Sequence, residues 1–521
     1  MDVVWFRRDL RIHDHAALMA ACASGNAVLP LYIFDPAQWV TGDYSERQFN
    51  FLVECLADLD SALRKFGSSL CLRVGTPVDV MSQLHVKHGI SAIHTHFPGQ
   101  LRSADETEQN SAVHSWALQA GVSMRQQINP GDADYTQRAE NRDRMWGETI
   151  RQHRLAAPGR ITPHKVHTSD WPQARDFNLE PDPCPDRQTG GRTSAVVTLR
   201  KFLAGAGRDY GKPGLPVTET HNASSHLSGY LSYGCLSVRE VWQGAMMARR
   251  AFEEDGDTTF VTSLDIFAEK LRLRSGSQQL TENYVADRNG SSIPADTFNR
   301  PVPEFSDARF QAWITGQTGF PFLDAGMRCL QTTGWVDERL RRLLLSFATC
   351  HLWMAPALPA RAMARLCTDY DPSVFYTNVR RVIGVSVAPP SYIPNPVRQS
   401  LTHDPEGNFI RKWVPELASL STKHIHSPWD APKSDLAQAS IVFGQTYPMR
   451  MVDHVAAARI ARRRLSPAMP NRSLDFSFRT LGQSAASRAS QPSARPVSSL
   501  KKHPASRPEQ LSLDLREPAH S

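Results

Sequence analysis

GFPFLDAGMRCLQTTGWVDERLR, Gly319 to Arg341, is the most telling run of this sequence. It holds one candidate helix, Leu323–Thr333, and the start of a second, Glu338–Trp353. Outward from it, Val238–Phe252, Phe260–Leu273 and Ala308–Gly316 are further candidate helices, and no strand pattern interleaves between Leu227 and Leu366. That half reads as an α-domain. The first 130 residues read differently. Val3–Phe6, Ala27–Phe34, Ser69–Val74 and Ser91–His96 are short and apolar or β-branched, as buried strands are. Helical patterns at Ala16–Ala23, Glu46–Phe66, Val78–His88 and Asp105–Ala120 alternate with them, which implies a parallel sheet covered on both faces. No G-x-G-x-x-G or G-x-x-x-x-G-K follows the first strand, so a standard dinucleotide or P-loop site is not expected.

Composition narrows the class. The 521 residues are 41% hydrophobic and 21% charged, values of a soluble globular chain long enough for two to four structural units. The 59 lysines and arginines exceed the 52 acidic residues, a net +7. Twelve of the basic residues and only four of the acidic ones lie in Val455–Ser521, so the body before it is close to neutral. No apolar run reaches the roughly 18 residues of a membrane helix. Arginines interrupt MDVVWFRRDLR before a signal-peptide core forms. The eight cysteines contain no C-x-x-C pair, which points to a reduced, cytoplasmic location. Residues 131–220 are a polar connector with one helix around Arg142–His153, and 221–464 form the helical domain behind the α/β domain of 1–130. After Arg464, Ser, Pro, Ala and Arg dominate through 509, a composition that stays disordered.

Specific motifs meet these blocks. WFRRDLRIHD (Trp5–Asp14), the stretch Gly319–Arg341, FIRKWVPEL (Phe409–Leu417) and HSPWDAP (His426–Pro432) resemble, in that order, landmarks of the photolyase/cryptochrome family over roughly residues 1–460. The resemblance implies an α/β domain that can hold an antenna pigment and a helical domain that holds FAD in a U shape. It places Ser224, Ser225, Leu227 and Ser228 of ASSHLSGYL on the FAD pyrophosphate, a use that hydroxyls and N–H groups ahead of a helix suit. Tyr210 would lie beside the adenine or phosphates, and Trp335 in the pocket. Arg274, Arg339, Arg341, Asp369 and Asp371 would bracket the flavin ring and ribityl chain.

The departures from that pattern weaken the expected pocket. His226 stands where the family has an arginine, Glu338 where it has an asparagine, and Phe375 where an asparagine faces flavin N5. A phenyl ring cannot hydrogen-bond. Lys270 and Leu273 replace a Glu and a Trp that hold the pyrimidine dimer, and leucine offers no face for stacking a base. The three tryptophans of the electron relay become Pro303, Pro356 and Val379. For the antenna, His15 replaces an Asn and Phe97–Arg102 lacks an Asn-Glu pair, so no second pigment is indicated. The pairs His13/His15, His94/His96 and His424/His426 have no carboxylate or Cys nearby to complete a ligand set, and read as core or solvated histidines rather than a metal site.

The tail carries one motif of its own. QLSLDL resembles the hexapeptide that bacterial polymerases and repair proteins insert into the sliding clamp (the polymerase β subunit), with Gln510, Leu511, Leu513 and Leu515 as anchors. The expected function is a FAD-binding, photolyase-like accessory of DNA repair, with DNA as a candidate partner and without efficient photochemistry. An active light-dependent deoxyribodipyrimidine photolyase and a cryptochrome-type photoreceptor are the alternatives.

Overall fold

The computed structural model describes residues 1–97, 104–129, 139–277, 307–383 and 393–465. The N-terminal sheet has five parallel strands, Asp2–Phe6 (β1), Val28–Phe34 (β2), Cys71–Val74 (β3), Ala92–Phe97 (β4) and Ser123–Ile128 (β5), in the order β3-β2-β1-β4-β5. Side chains alternate across a strand. Val4 and Phe6 therefore join the large core shared with the helical half, while Val3 and Trp5 join a second core on the other face with Leu29, Leu31 and Ile93. Four strands lie where their apolar runs indicate. β5 was not foreseen, because SMRQQI is polar and half-exposed, pairing along one side only, with β4. The opposite edge is covered by the connector: the Leu72 N–H donates to Thr168 Oγ1 at 2.9 Å and the Ser169 N–H to the Leu72 carbonyl at 3.2 Å.

The sheet domain is bolted to the helical half by the first turn of the helix Glu46–Lys65. Ser45 Oγ donates to the Arg365 carbonyl at 2.6 Å, and Gln48 Nε2 to those of Ala364 and Cys367, each at 2.7 Å. Arg47, also buried, reaches the carbonyls of Leu330 and Leu366 and pairs with Asp182. The loop after β1 presses on the same half. A Cβ on Gly234 would lie 2.1 Å from the Arg8 carbonyl oxygen, and φ there is +69°.

The helical half contains Val238–Glu254, Thr258–Ser277, Asp307–Ile314, Pro321–Thr333 and Glu338–Ser346, close to expectation. One element differs. The helix expected to run from Glu338 to Trp353 changes at Ser346 into a π-helical turn, Phe347–His351, where the Leu352 N–H reaches back to the Phe347 carbonyl. Thr349 Oγ1 donates to the Leu345 carbonyl at 2.8 Å, a hydroxyl competing with the helix's own ladder. The connector also holds more helix than expected: Arg192–Lys201, then a π turn Phe202–Ala206, and Val217–Ala223. Arg192 fixes this segment by a bidentate pair with the buried Glu240, at 2.6 and 2.7 Å. His454–Leu465, carrying Arg462, Arg463 and Arg464 in its last turn, ends the described chain. No helix among the described residues is long and apolar enough to cross a membrane.

Candidate functional site

The helix Val217–Ala223 delivers the chain into the serine loop. Ser224 Oγ caps that helix by donating to the Thr220 carbonyl at 2.7 Å, and Ser225 Oγ faces the Leu227 N–H at 3.5 Å. His226 adopts φ +51°, a left-handed turn stabilised by Gln188 Nε2 donating to its carbonyl at 3.1 Å. Leu227 is fully buried and precedes the short helix Ser228–Ser232. Ser228 Oγ is buried and meets no partner.

Four charged residues converge on the end of that helix. Ser232 Oγ donates to the Asp369 carbonyl at 3.3 Å and accepts from Arg274 Nη2 at 3.0 Å. The same guanidinium lies 2.9 Å from Asp371 Oδ2, whose other oxygen accepts from the Ser373 hydroxyl at 2.6 Å. Arg341 donates to the Val336 carbonyl and lies 2.9 Å from Asp369 Oδ2, while Asp369 Oδ1 is buried without a partner. Ser224, Ser225, Leu227, Ser228, Arg274, Arg341, Asp369 and Asp371 thus form one connected constellation. Buried polar atoms are normally paired, so the unmatched Ser228 hydroxyl and Asp369 carboxylate oxygen call for a ligand with polar groups at both places. A ligand with hydrogen-bond acceptors at the first and hydroxyl donors at the second would meet that need, and FAD is such a ligand.

Three expected residues sit at the margin. Arg339 lies 3.7 Å from Asp337 and donates to Thr220 Oγ1 at 2.6 Å, at the rim of a small depression shared with Gln399 and His403. Tyr210 packs edge-on against Phe202 and Phe267, and burial, aided by the nearby Glu338 carboxylate, pushes its hydroxyl up to about 12. Trp335 is flanked by the rings of His226, at 4.6 Å, and His221, at 5.2 Å. Burial holds His226 below the usual histidine range and His221 down at about 4, so the loop is without histidine charge near neutrality. Glu338 is exposed at the start of its helix, where the dipole favours a carboxylate, and lies 4.0 Å from Arg342.

The other substituted positions differ in burial. Phe375 is buried edge-on between Tyr370 and Tyr376. Pro356 and Val379 are buried, Lys270 is exposed and Leu273 half-buried; Pro303 lies outside the described residues, as do the antenna positions 98–102 and QLSLDL. Two clusters were not anticipated. Asp43 Oδ2 accepts from both Tyr370, at 2.8 Å, and Tyr376, at 2.9 Å; nothing in the spacing of these residues signals it.

The second cluster corrects the histidine reading. A carboxylate does stand beside the histidines: Asp9 Oδ2 lies 2.7 Å from His96 Nδ1 and 3.1 Å from His15 Nε2, all three buried. Pairing of β1 with β4 brings His96 to Asp9, 87 residues away in sequence, which local spacing could not reveal. His94 likewise lies 3.1 Å from Asp2. The triad still makes a poor cation site. His15 Nδ1 accepts the Leu18 N–H at 3.0 Å to cap a helix, so its proton sits on Nε2, the atom a metal would need bare.

The family described as FAD binding domain of DNA photolyase matches residues 267–467, and DNA photolyase matches residues 2–129. The chain is 30% identical to a deoxyribodipyrimidine photo-lyase of Streptomyces griseus, over 89% of this chain and 98% of the relative. It is 28% identical to a DASH cryptochrome of Gloeobacter violaceus, over 87% and 93%. Among solved structures, a bacterial class III photolyase from Agrobacterium tumefaciens superposes with TM-score 0.73 at 26% identity, over 90% of this chain and 97% of the other. A Synechocystis cryptochrome superposes with TM-score 0.76 at 24% identity, over 89% and 98%.

Proposed function

This chain belongs to the photolyase/cryptochrome family, and from that premise we propose that it is a FAD-binding member serving DNA repair as an accessory, with its photochemistry largely lost. The observation that carries the reading is the apolar replacement of electron-handling positions around an otherwise connected cofactor site. Pro356 and Val379, at two of the relay positions, are buried and neither is oxidisable at useful potential, while the buried Phe375 cannot hydrogen-bond to flavin N5. Ser224, Ser225 and Ser228 would hold the pyrophosphate, and Asp369, Asp371, Arg274 and Arg341 the ribityl chain and ring. When bound, the flavin would supply light absorption and one-electron chemistry. The protein's own part is to orient it and exclude water from Asp369. Purified protein is expected to be yellow yet to leave pyrimidine dimers in irradiated DNA unrepaired under blue light; dimer loss above a dark control overturns the reading.

That outcome would favour the second reading, an active photolyase, which similarity to deoxyribodipyrimidine photo-lyases supports. Recruitment is assigned to the tail. Gln510, Leu511, Leu513 and Leu515 would dock in the groove of the sliding clamp at the end of a basic tether, in the cytoplasm, close to DNA. Deleting 510–515 should abolish co-purification with the clamp while the yellow colour persists, and undiminished capture removes this part of the proposal.

A further inference from the structure

His226 sits at the centre of the serine loop, between Ser225 and Leu227, in a left-handed conformation. Such a turn is uncommon for a residue other than glycine and persists where surrounding contacts fix it. Gln188 Nε2 donates to the His226 carbonyl at 3.1 Å, and His226 Nε2 lies 2.8 Å from the His221 carbonyl, in the last turn of the helix Val217–Ala223. The ring packs 4.6 Å from that of Trp335 and 4.7 Å from that of His221. A carbonyl can only accept, so in the neutral ring the proton is on Nε2. Nδ1 is then a bare lone pair, with no hydrogen-bond partner among the described residues.

The charged groups acting on this ring come from two other segments. Lys201, at the end of the helix Arg192–Lys201, opposes a proton on it, while Asp369 favours one but is already paired with Arg341 at 2.9 Å. His221, the titrating neighbour on the preceding helix, is itself held down at about 4 by burial, His226 and Lys412. In the empty loop burial outweighs Asp369 and leaves the His226 ring neutral near pH 7. A pyrophosphate reverses the balance. Its negative charge is otherwise met between Ser224 and Ser228 by hydroxyls and N–H groups, and the imidazole is the one side chain of that loop able to become a cation.

We propose that His226 is the proton-linked phosphate partner of the cofactor: FAD binding draws a proton from solvent onto Nδ1, and the imidazolium then donates from Nε2 to the His221 carbonyl and from Nδ1 to a phosphate oxygen. This rests on the placing of the pyrophosphate in the serine loop and adds regulation to it. The sign follows from linkage. The bound ligand raises the pKa of the ring, so the loaded protein holds more protons than the empty one, and affinity rises as pH falls, by at most about tenfold per pH unit for one proton.

The test is titration of the flavin-free full chain with FAD at pH 8, 7 and 6, followed by flavin fluorescence, with calorimetry at pH 7 in two buffers of different ionisation heat. The Kd at pH 6 should be about three- to tenfold below that at pH 8, with net proton uptake on binding. Acid destabilisation of the protein would weaken binding, so it cannot produce this tightening. His226→Asn, which tolerates the left-handed turn and stays neutral, should bind FAD with a flat pH dependence. His226→Arg should also be flat, and tighter than wild type at pH 8. His221→Gln keeps the backbone carbonyl and should retain the wild-type dependence. A flat profile in wild type, absence of proton uptake, a wild-type profile in His226→Asn or a flat one in His221→Gln overturns the proposal while leaving FAD binding intact. Failure to bind FAD at any pH overturns the FAD reading together with it.

Discussion

At the scale of single residues, the site is best judged by what each side chain lacks. Ser228 Oγ is buried without a partner, and an unsatisfied buried hydroxyl costs about 1–3 kcal/mol. Ser228→Ala removes that penalty from the cofactor-free protein and a phosphate contact from the loaded one. Its apoprotein should therefore melt no lower than wild type, while the flavin-to-protein absorbance ratio of purified material falls. A drop in apoprotein melting temperature would mean the hydroxyl has a structural partner. This opposite pull on stability and loading distinguishes a ligand-facing serine from a helix cap such as Ser224, whose hydroxyl already holds the Thr220 carbonyl. Residue-scale chemistry was legible where a motif carried it, as in ASSHLSGYL. It was illegible where partners come from distant segments: nothing near His96 in sequence points to Asp9, and nothing near Tyr370 points to Asp43.

At the scale of elements, the parts read correctly are those whose burial is uniform. β2 is buried along its whole length and its apolar run declared it, whereas β5, exposed on one side, looks like loop in composition. The helix Arg192–Lys201 was hidden for a related reason. It has only two buried residues, Ala195 and Leu199, and is anchored by Arg192–Glu240 rather than by an apolar stripe. Its entry depends on Gly190, where a Cβ would lie 2.4 Å from the Phe51 carbonyl. The contact between the two halves depends still more tightly on Gly234. Alanine there combines a left-handed φ with a Cβ overlapping the Arg8 carbonyl and the Asp9 backbone, and neither backbone can yield alone. Gly234→Ala should cost about 2–4 kcal/mol, read as a lowered urea midpoint. A midpoint equal to wild type would show that the loop after β1 does not bear on the helical half as described.

For the whole molecule, the net charge of +7 is a property of the tail beyond Val455, so stability of the body is governed by local burial rather than by global repulsion. Histidines held below their ordinary range by burial then set its acid response, His221, His351 and His96 among them. Burial, with neighbouring positive groups, holds His221 and His351 at about 4 and His96 at about 3, against an ordinary value of 6.5. Between these limits the unfolded chain binds protons that the folded chain refuses, so stability rises with pH across that window and is lost as pH falls. Asp9, held well below the usual carboxylate range chiefly by His15 and His96 against its own burial, adds a loss of the same sign at still lower pH. Asp324 and Asp404, pushed up by burial, act in the opposite sense, but only as their carboxyls protonate. The decline begins where the histidines of the unfolded chain take up protons, near their ordinary value of 6.5. The melting temperature should fall steadily from pH 7.5 to 5. His221→Gln, which keeps a polar side chain without a titrating ring, should flatten part of the slope. A melting temperature constant from pH 7.5 to 5, or an unchanged slope in His221→Gln, would show that these rings reach solvent and titrate as they do in the unfolded chain.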